Sequence, residues 1–202
     1  MTYTLPPGLV ETSFGDGGHW VSRNGKPIRS VSKILERIWP MPAGLPAWYL
    51  ERGKAVHHAT TLIDKGTLDA ETVDERIIPF LSAYEAFISS AHPVVELSEE
   101  TVVHKSYSYG GRLDRLYRFP GQKKLILVDI KTGTGTEPRY RIQCALLALA
   151  LDEDNVDRYE LALLNLDKDG KPHFSIDDDP GTRVNEARKI LQDDIDFRSG
   201  KT

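Results

Sequence analysis

The sequence holds a single cysteine, Cys144, and that scarcity removes several classes of protein at once. One thiol cannot close an internal disulfide, complete a four-cysteine zinc site or hold an iron-sulfur cluster, and its place in an apolar helical run points to packing. Long hydrophobic runs are missing too. No stretch approaches the roughly 20 apolar residues that span a bilayer, so no membrane partner is expected. The opening residues, MTYTLPPGLVETSFGDGG, carry neither the basic nor the apolar segment that directs secretion, which makes the cytoplasm the expected compartment. Internal repeats and low-complexity tracts are also absent. What remains is an ordinary globular composition: 202 residues, 40% hydrophobic and 28% charged, suit one domain with a substantial core.

A net charge of −4 argues weakly against a nucleic-acid partner, but its distribution changes that reading. Residues 105–141 hold nine Lys or Arg and three acids (Asp114, Asp129 and Glu137), which gives +6 there and leaves −10 elsewhere. A local basic field around an acidic pair suits a polyanion bound through metal, whereas a solvated strand face is the plainer alternative.

The acidic pair lies in residues 110–133, GGRLDRLYRFPGQKKLILVDIKTG. Two strand-like runs, 111–119 and 124–131, flank the turn Pro120-Gly121-Gln122-Lys123 and predict an antiparallel hairpin. Symmetric pairing about that turn makes partner numbers sum to 243, which sets Asp114 opposite Asp129 on one face, with Cβ atoms roughly 4.5 to 5.5 Å apart. Facing carboxylates repel unless one is protonated or a cation sits between them, so a divalent metal is the economical explanation. Lys131 shares their face by the period of two. An odd-length turn would shift the register by one and break the constellation.

Elsewhere the pattern is mostly that of a core. Asn24-Gly25 marks a type I′ hairpin. Ser30 caps a helix with Val31, Ile34, Leu35 and Ile38 on its inner face, stopped by residues 39–42. Pro46 opens a second helix that ends at Gly66. Inside it Gly53 costs about 1 kcal/mol relative to alanine and so signals a break, or close approach of another backbone. His57, four residues on, shares that face and is a candidate to reach a neighbouring site; a hydrogen-bonded structural histidine is the alternative. Thr72 and Glu75 have capping-box spacing before a helix with Tyr84, Phe87 and Ile88 inward. Residues 101–107 read as a strand with Glu100 at its start, and 132–136 as a flexible loop. Pro138 then opens a buried helix carrying Gln143 at its wetter end. Residues 159–166 and 171–176 read as strands around an Asp-Lys-Asp-Gly turn, and a last helix uses Val184, Ala187, Ile190 and Leu191 before a charged tail, 193–202, expected to fray.

Asp129-Ile130-Lys131 has an internal control in Asp169-Gly170-Lys171, which has the same form but lies in a polar turn with no opposing acid. Context separates the two. RG-KAVH at 52–57, a glutamate at Glu100, GGRLDRL at 110–116, VDIKTG at 128–133 and Gln143 on the next helix resemble, in that order, the motifs of the PD-(D/E)XK nuclease superfamily and its RecB-like exonuclease branch. The resemblance runs from about residue 30 to residue 166. It implies an α/β, restriction-endonuclease-like core, a central mixed sheet with a catalytic hairpin flanked by helices, over 30–195, preceded by a hairpin appendage at 1–29 and followed by a frayed tail at 196–202.

The same resemblance implies that His57, Asp114, Asp129 and the Ile130 carbonyl ligate Mg²⁺ or Mn²⁺, that Glu100 assists through water, that Lys131 orients or activates the attacking water, and that Gln143 holds Lys131 or a phosphate. Hard oxygen ligands suit such ions. Arg112, Arg115, Arg139 and Arg141 are the expected DNA contacts. The branch places a tyrosine about one turn after the glutamine, where this chain has Leu146 and Leu147. No helicase motif is present, so the chain would find DNA ends alone or through a recombination or single-strand-binding protein, in a bacterial or phage setting. The expectation is a metal-dependent DNA nuclease, an exonuclease in recombination, repair or phage DNA processing. Its rivals are a catalytically inactive nuclease-fold module that binds DNA or a partner, and a structural α/β protein with ordinary ion pairs.

Overall fold

A computed structural model describes residues 2–13, 19–40, 44, 46–133 and 138–201. The chain begins with β1 (Leu9–Ser13), β2 (His19–Arg23) and β3 (Lys26–Pro27), a small antiparallel sheet. Asn24 and Gly25 join β2 to β3 with φ of 52° and 73°, the two positive values that a type I′ turn requires. This sheet and the segment before it touch the main body: the Tyr3 hydroxyl bonds both N and O of Val103, and Thr101 donates to Glu11 of β1.

Next come β4 (Arg29–Ser30) and α1 (Val31–Glu36), whose Lys33 amide is capped by the Ser30 hydroxyl. Helix α2 (Ala47–Asp64) follows and ends near Gly66, which takes φ of 65°. Helix α3 (Ile78–Ala91) is preceded by two short 3₁₀ turns capped by Asp69 and Asp74, so these acids take the place of the expected Thr72/Glu75 box. His92 closes α3 in the left-handed conformation. Then come β5 (Val94–Val103), β6 (Tyr109–Arg118), β7 (Leu125–Lys131), α4 (Pro138–Asp152), β8 (Tyr159–Leu166), β9 (Pro172–Ile176) and α5 (Pro180–Arg198). The strand expected at 101–107 therefore starts earlier and stops at 103, because His104 Nδ1 accepts the amides of Ser106 and Tyr107 and turns the chain. Of the loop expected at 132–136, residues 134–136 lie outside the described residues.

The main sheet is mixed. Its order is β5-β6-β7-β8-β9, with β7 and β8 parallel, their neighbours antiparallel, and β4 parallel to the start of β6. Helices cover both faces, as a sheet with two apolar faces requires. On one face α1, α4 and α5 pack on Leu113, Leu116, Leu127, Leu161 and Leu163. On the other, α2 and α3 pack on Tyr117, Ile126, Val128, Ile130 and Leu164. Burial on both faces is why 125–130 reads as a continuous apolar run.

The tail expected to fray does not do so before Arg198. Asp194, 1% exposed, receives Arg29 Nη2 at 3.1 Å and Arg198 Nε at 2.9 Å, which anchors α5 to the other end of the chain. Among the described residues no helix is long and apolar enough to cross a membrane.

Candidate metal centre and cleft

The hairpin keeps the register that its turn dictates. Arg115 pairs with Val128, Leu116 with Leu127 and Tyr117 with Ile126, each summing to 243. Beyond Arg115 and Val128 the described pairing of these strands stops. There the Ile130 amide donates to Asp114 Oδ2 at 2.6 Å, so a side chain fills the gap at the mouth of a fork between β6 and β7.

Three side chains from three elements meet at this fork. His57 of α2, Glu99 of β5 and Asp114 of β6 each offer one ligand atom, and these atoms lie within 4.8 Å of one another. His57 Nδ1 is 3.1 Å from Glu99 Oε1 and 3.5 Å from Asp114 Oδ1, while its Nε2 is 3.1 Å from the Ile130 carbonyl oxygen. Each of these three partners is an acceptor. Burial would lower the imidazole pKa, but Asp114 and Glu99 override it and hold it at about 9. The imidazolium thus supplies the positive charge that two close carboxylates need. One nitrogen and several oxygens around one point form a donor set that fits a divalent cation of the Mg²⁺ or Mn²⁺ type.

Glu99, rather than the expected Glu100, joins the group. Its φ is 49°, outside the strand region, and this kink turns it toward Asp114 while Glu100 pairs with Leu113 and feels Glu11. A regular alternation of faces along β5 cannot anticipate such a residue.

Asp129, expected as a ligand, lies outside this trio. Strand alternation puts Asp129 and Lys131 on the face of Leu127, toward α4, whereas His57 arrives from the α2 face. Asp129 Oδ2 sits 2.6 Å from Lys131 Nζ, and its Oδ1 accepts from Gln143 Nε2 at 3.0 Å. Burial pushes the Asp129 carboxyl up, and Lys131 opposes this. Burial alone would lower the Lys131 ammonium, but Asp129 and Asp114 raise it, so it is a fixed cation. Its Nζ also lies 4.7 Å from the centre of the Tyr140 ring, one turn before Gln143, a contact not anticipated from sequence.

A cleft of about 1080 Å³ opens beside the trio, lined among others by Tyr49, Gly53, Lys54, Arg112 and Lys131. A Cβ on Gly53 would meet nothing within 4 Å, so neither a helix break nor an approaching backbone explains this glycine; it faces the open cleft. Lys54, within the 52–57 motif, was given no role from the sequence although it lies three residues before His57, a spacing that shares a helix face.

Of the four arginines expected to touch DNA, only Arg112 lines this cleft. Arg141 is held by Asp177 and Ser175, and Arg139 Nη1 reaches the Trp39 carbonyl. Arg115 is 0% exposed and spends its donors inside the protein, which removes it as a DNA contact. The basic window is compensated in the same way, Lys105 by Asp154 and Arg118 by Glu96.

No protein-family model matches the sequence, and a search of curated proteins finds no significant match. Among solved structures the chain is similar to an alkaline exonuclease (LHK-Exo) from Laribacter hongkongensis, at 14% identity over 85% of this chain and 91% of that one, with a TM-score of 0.40. LHK-Exo in complex with dAMP matches at 14% identity over 86% and 92%, with a TM-score of 0.39. SSO0001 matches at 15% identity over 80% and 83%, with a TM-score of 0.31. These scores lie below 0.5, too low to carry a functional reading.

Proposed function

We propose that this chain is a divalent-metal-dependent deoxyribonuclease with a restriction-endonuclease-like core, acting as an exonuclease on DNA ends in recombination, repair or phage DNA processing. The observation that carries this reading is the convergence of His57, Glu99 and Asp114 on one point, with the Lys131–Asp129 pair beside it, at the edge of a cleft of about 1080 Å³. His57, Glu99 and Asp114 would hold Mg²⁺ or Mn²⁺, with the Ile130 carbonyl beside His57. Such a cation supplies Lewis acidity toward a phosphoryl oxygen and a water of lowered pKa.

The chain's own groups do the rest. Lys131, kept protonated by its carboxylate neighbours, is suited to stabilising charge that develops on the scissile phosphate and unsuited to removing a proton from water. Gln143 fixes Asp129, which fixes Lys131 in turn. Lys54 and Arg112 give the cleft positive charge for the flanking phosphates.

The test uses end-labelled linear duplex DNA beside circular duplex and circular single-stranded DNA, each with Mg²⁺ or Mn²⁺. Cleavage of the linear substrate alone is expected. A folded, metal-loaded preparation that leaves every substrate intact would refute nuclease activity, and cleavage of closed circles would refute end dependence.

A further inference from the structure

Arg115 carries a guanidinium with five N–H donors, and all five are engaged although the side chain is wholly buried. Nε donates to Asp64 Oδ2 at 2.7 Å. Nη1 donates to Glu99 Oε1 at 3.2 Å and to the Asp114 carbonyl at 2.7 Å. Nη2 donates to Thr60 Oγ1 at 3.0 Å and Thr61 Oγ1 at 3.1 Å, and both hydroxyls donate onward to the His57 carbonyl at 3.0 Å. One planar group therefore touches Glu99 through its carboxylate, Asp114 through its backbone and His57 through two threonines.

The back of the guanidinium is equally fixed. Asp64 accepts from Tyr84, and the Tyr84 and Tyr117 hydroxyls bond each other at 2.7 Å, so the anchor extends into the core between α2 and α3. The fork geometry of arginine suits this task, because a lysine ammonium offers three donors from a single point and cannot span the same acceptors. Glu99 in turn needs an anchor. Its backbone sits in a conformation that ordinary strand residues avoid, and the Glu99 carboxylate is shared between Arg115 and His57.

We infer that Arg115 is the positioning residue of the metal centre, a single buried cation that presets all three ligand-bearing residues. This rests on the metal-centre reading above. Groups that orient metal ligands typically change metal affinity by about 10- to 100-fold when replaced. Arg115 so placed makes no contact with DNA.

The experiment is a Mn²⁺ titration, without DNA, followed by the paramagnetic resonance signal of free Mn²⁺. It compares wild type, Arg115→Lys, and Thr60→Val/Thr61→Val, which leaves every charge in place. Arg115→Lys is expected to weaken Mn²⁺ binding by about 10- to 100-fold and the threonine pair by a smaller factor. At saturating Mn²⁺ Arg115→Gln, which removes the charge, should keep the wild-type salt dependence of DNA binding, whereas loss of a phosphate contact would lower its slope by about one. Wild-type Mn²⁺ affinity in folded Arg115→Lys overturns the inference; if that variant fails to fold, unchanged affinity in the threonine pair overturns it. Absence of Mn²⁺ binding in the wild type refutes the metal centre itself, a distinguishable outcome.

Discussion

Gly53→Ala separates what a residue costs the fold from what it gives the site. Gly53 lies inside α2, four residues before His57, and lines the cleft, with no atom within 4 Å of where its Cβ would be. An alanine there meets no steric obstacle and gains about 1 kcal/mol of helix propensity. For a chain of this size, that raises the melting temperature by roughly 2–4 °C. On the proposed function, the same methyl projects into the cleft that would receive a phosphodiester backbone. Crowding a close contact by one methyl group costs about 1–3 kcal/mol, roughly 5- to 150-fold in affinity. Calorimetric melting of the metal-free protein and DNA binding at saturating Mn²⁺ measure the two effects on the same preparation. Higher stability with weaker DNA binding is expected. A variant that melts higher and binds DNA as wild type does would show that the open surface at Gly53 is not used by substrate, and lower stability would contradict the unobstructed Cβ.

Two further outcomes follow from the buried charges. Lys131→Ala should abolish cleavage and leave Mn²⁺ binding mostly intact; because it strands Asp129, 1% exposed, it should also cost about 3–5 kcal/mol in urea unfolding, which Asp129→Asn in the same chain restores without restoring activity. In the metal-free protein His57 has a folded pKa of about 9 against 6.5 unfolded, so its contribution is full below pH 6.5 and is lost as pH rises through 9. Stability should therefore fall by on the order of 3 kcal/mol across that window, and His57→Gln should flatten the profile. Binding of Mn²⁺ to the neutral imidazole should tighten over the same interval.

Much of the scaffold was legible because it depends on local rules. The four residues 120–123 form an even turn, which fixes the register seen from Tyr117 and Ile126 to Arg115 and Val128, and Asn24-Gly25 admits the turn it does because both residues tolerate positive φ. The site was legible only in part, and each miss has a non-local cause. The resemblance and its place at a strand start selected Glu100, but one residue at φ of 49° brings in Glu99. The sign of Arg115 suggested DNA, yet its side-chain partners come from α2 and β5, between 16 and 55 residues away in the chain, and they make it an interior group. Asp194 reads as part of a solvated tail until Arg29, 165 residues earlier, is placed beside it. Symmetric pairing set Asp114 and Asp129 together on one face, but the described pairing stops at Arg115 and Val128, and helices on opposite faces of the sheet claim the two acids, His57 for one and Gln143 for the other.

The assignment of His57, Glu99 and Asp114 as a metal centre is tested most directly by melting wild type and Asp114→Asn with increasing Mn²⁺. Asparagine keeps an oxygen for the Ile130 amide but removes the charge, so the two proteins differ chiefly at the site. Saturation to 100 times the dissociation constant stabilises by about 2.7 kcal/mol, roughly 5–10 °C here. A rise of that size in the wild type and little or none in Asp114→Asn is the expected result. No shift in the wild type, or the same shift in both, would contradict it.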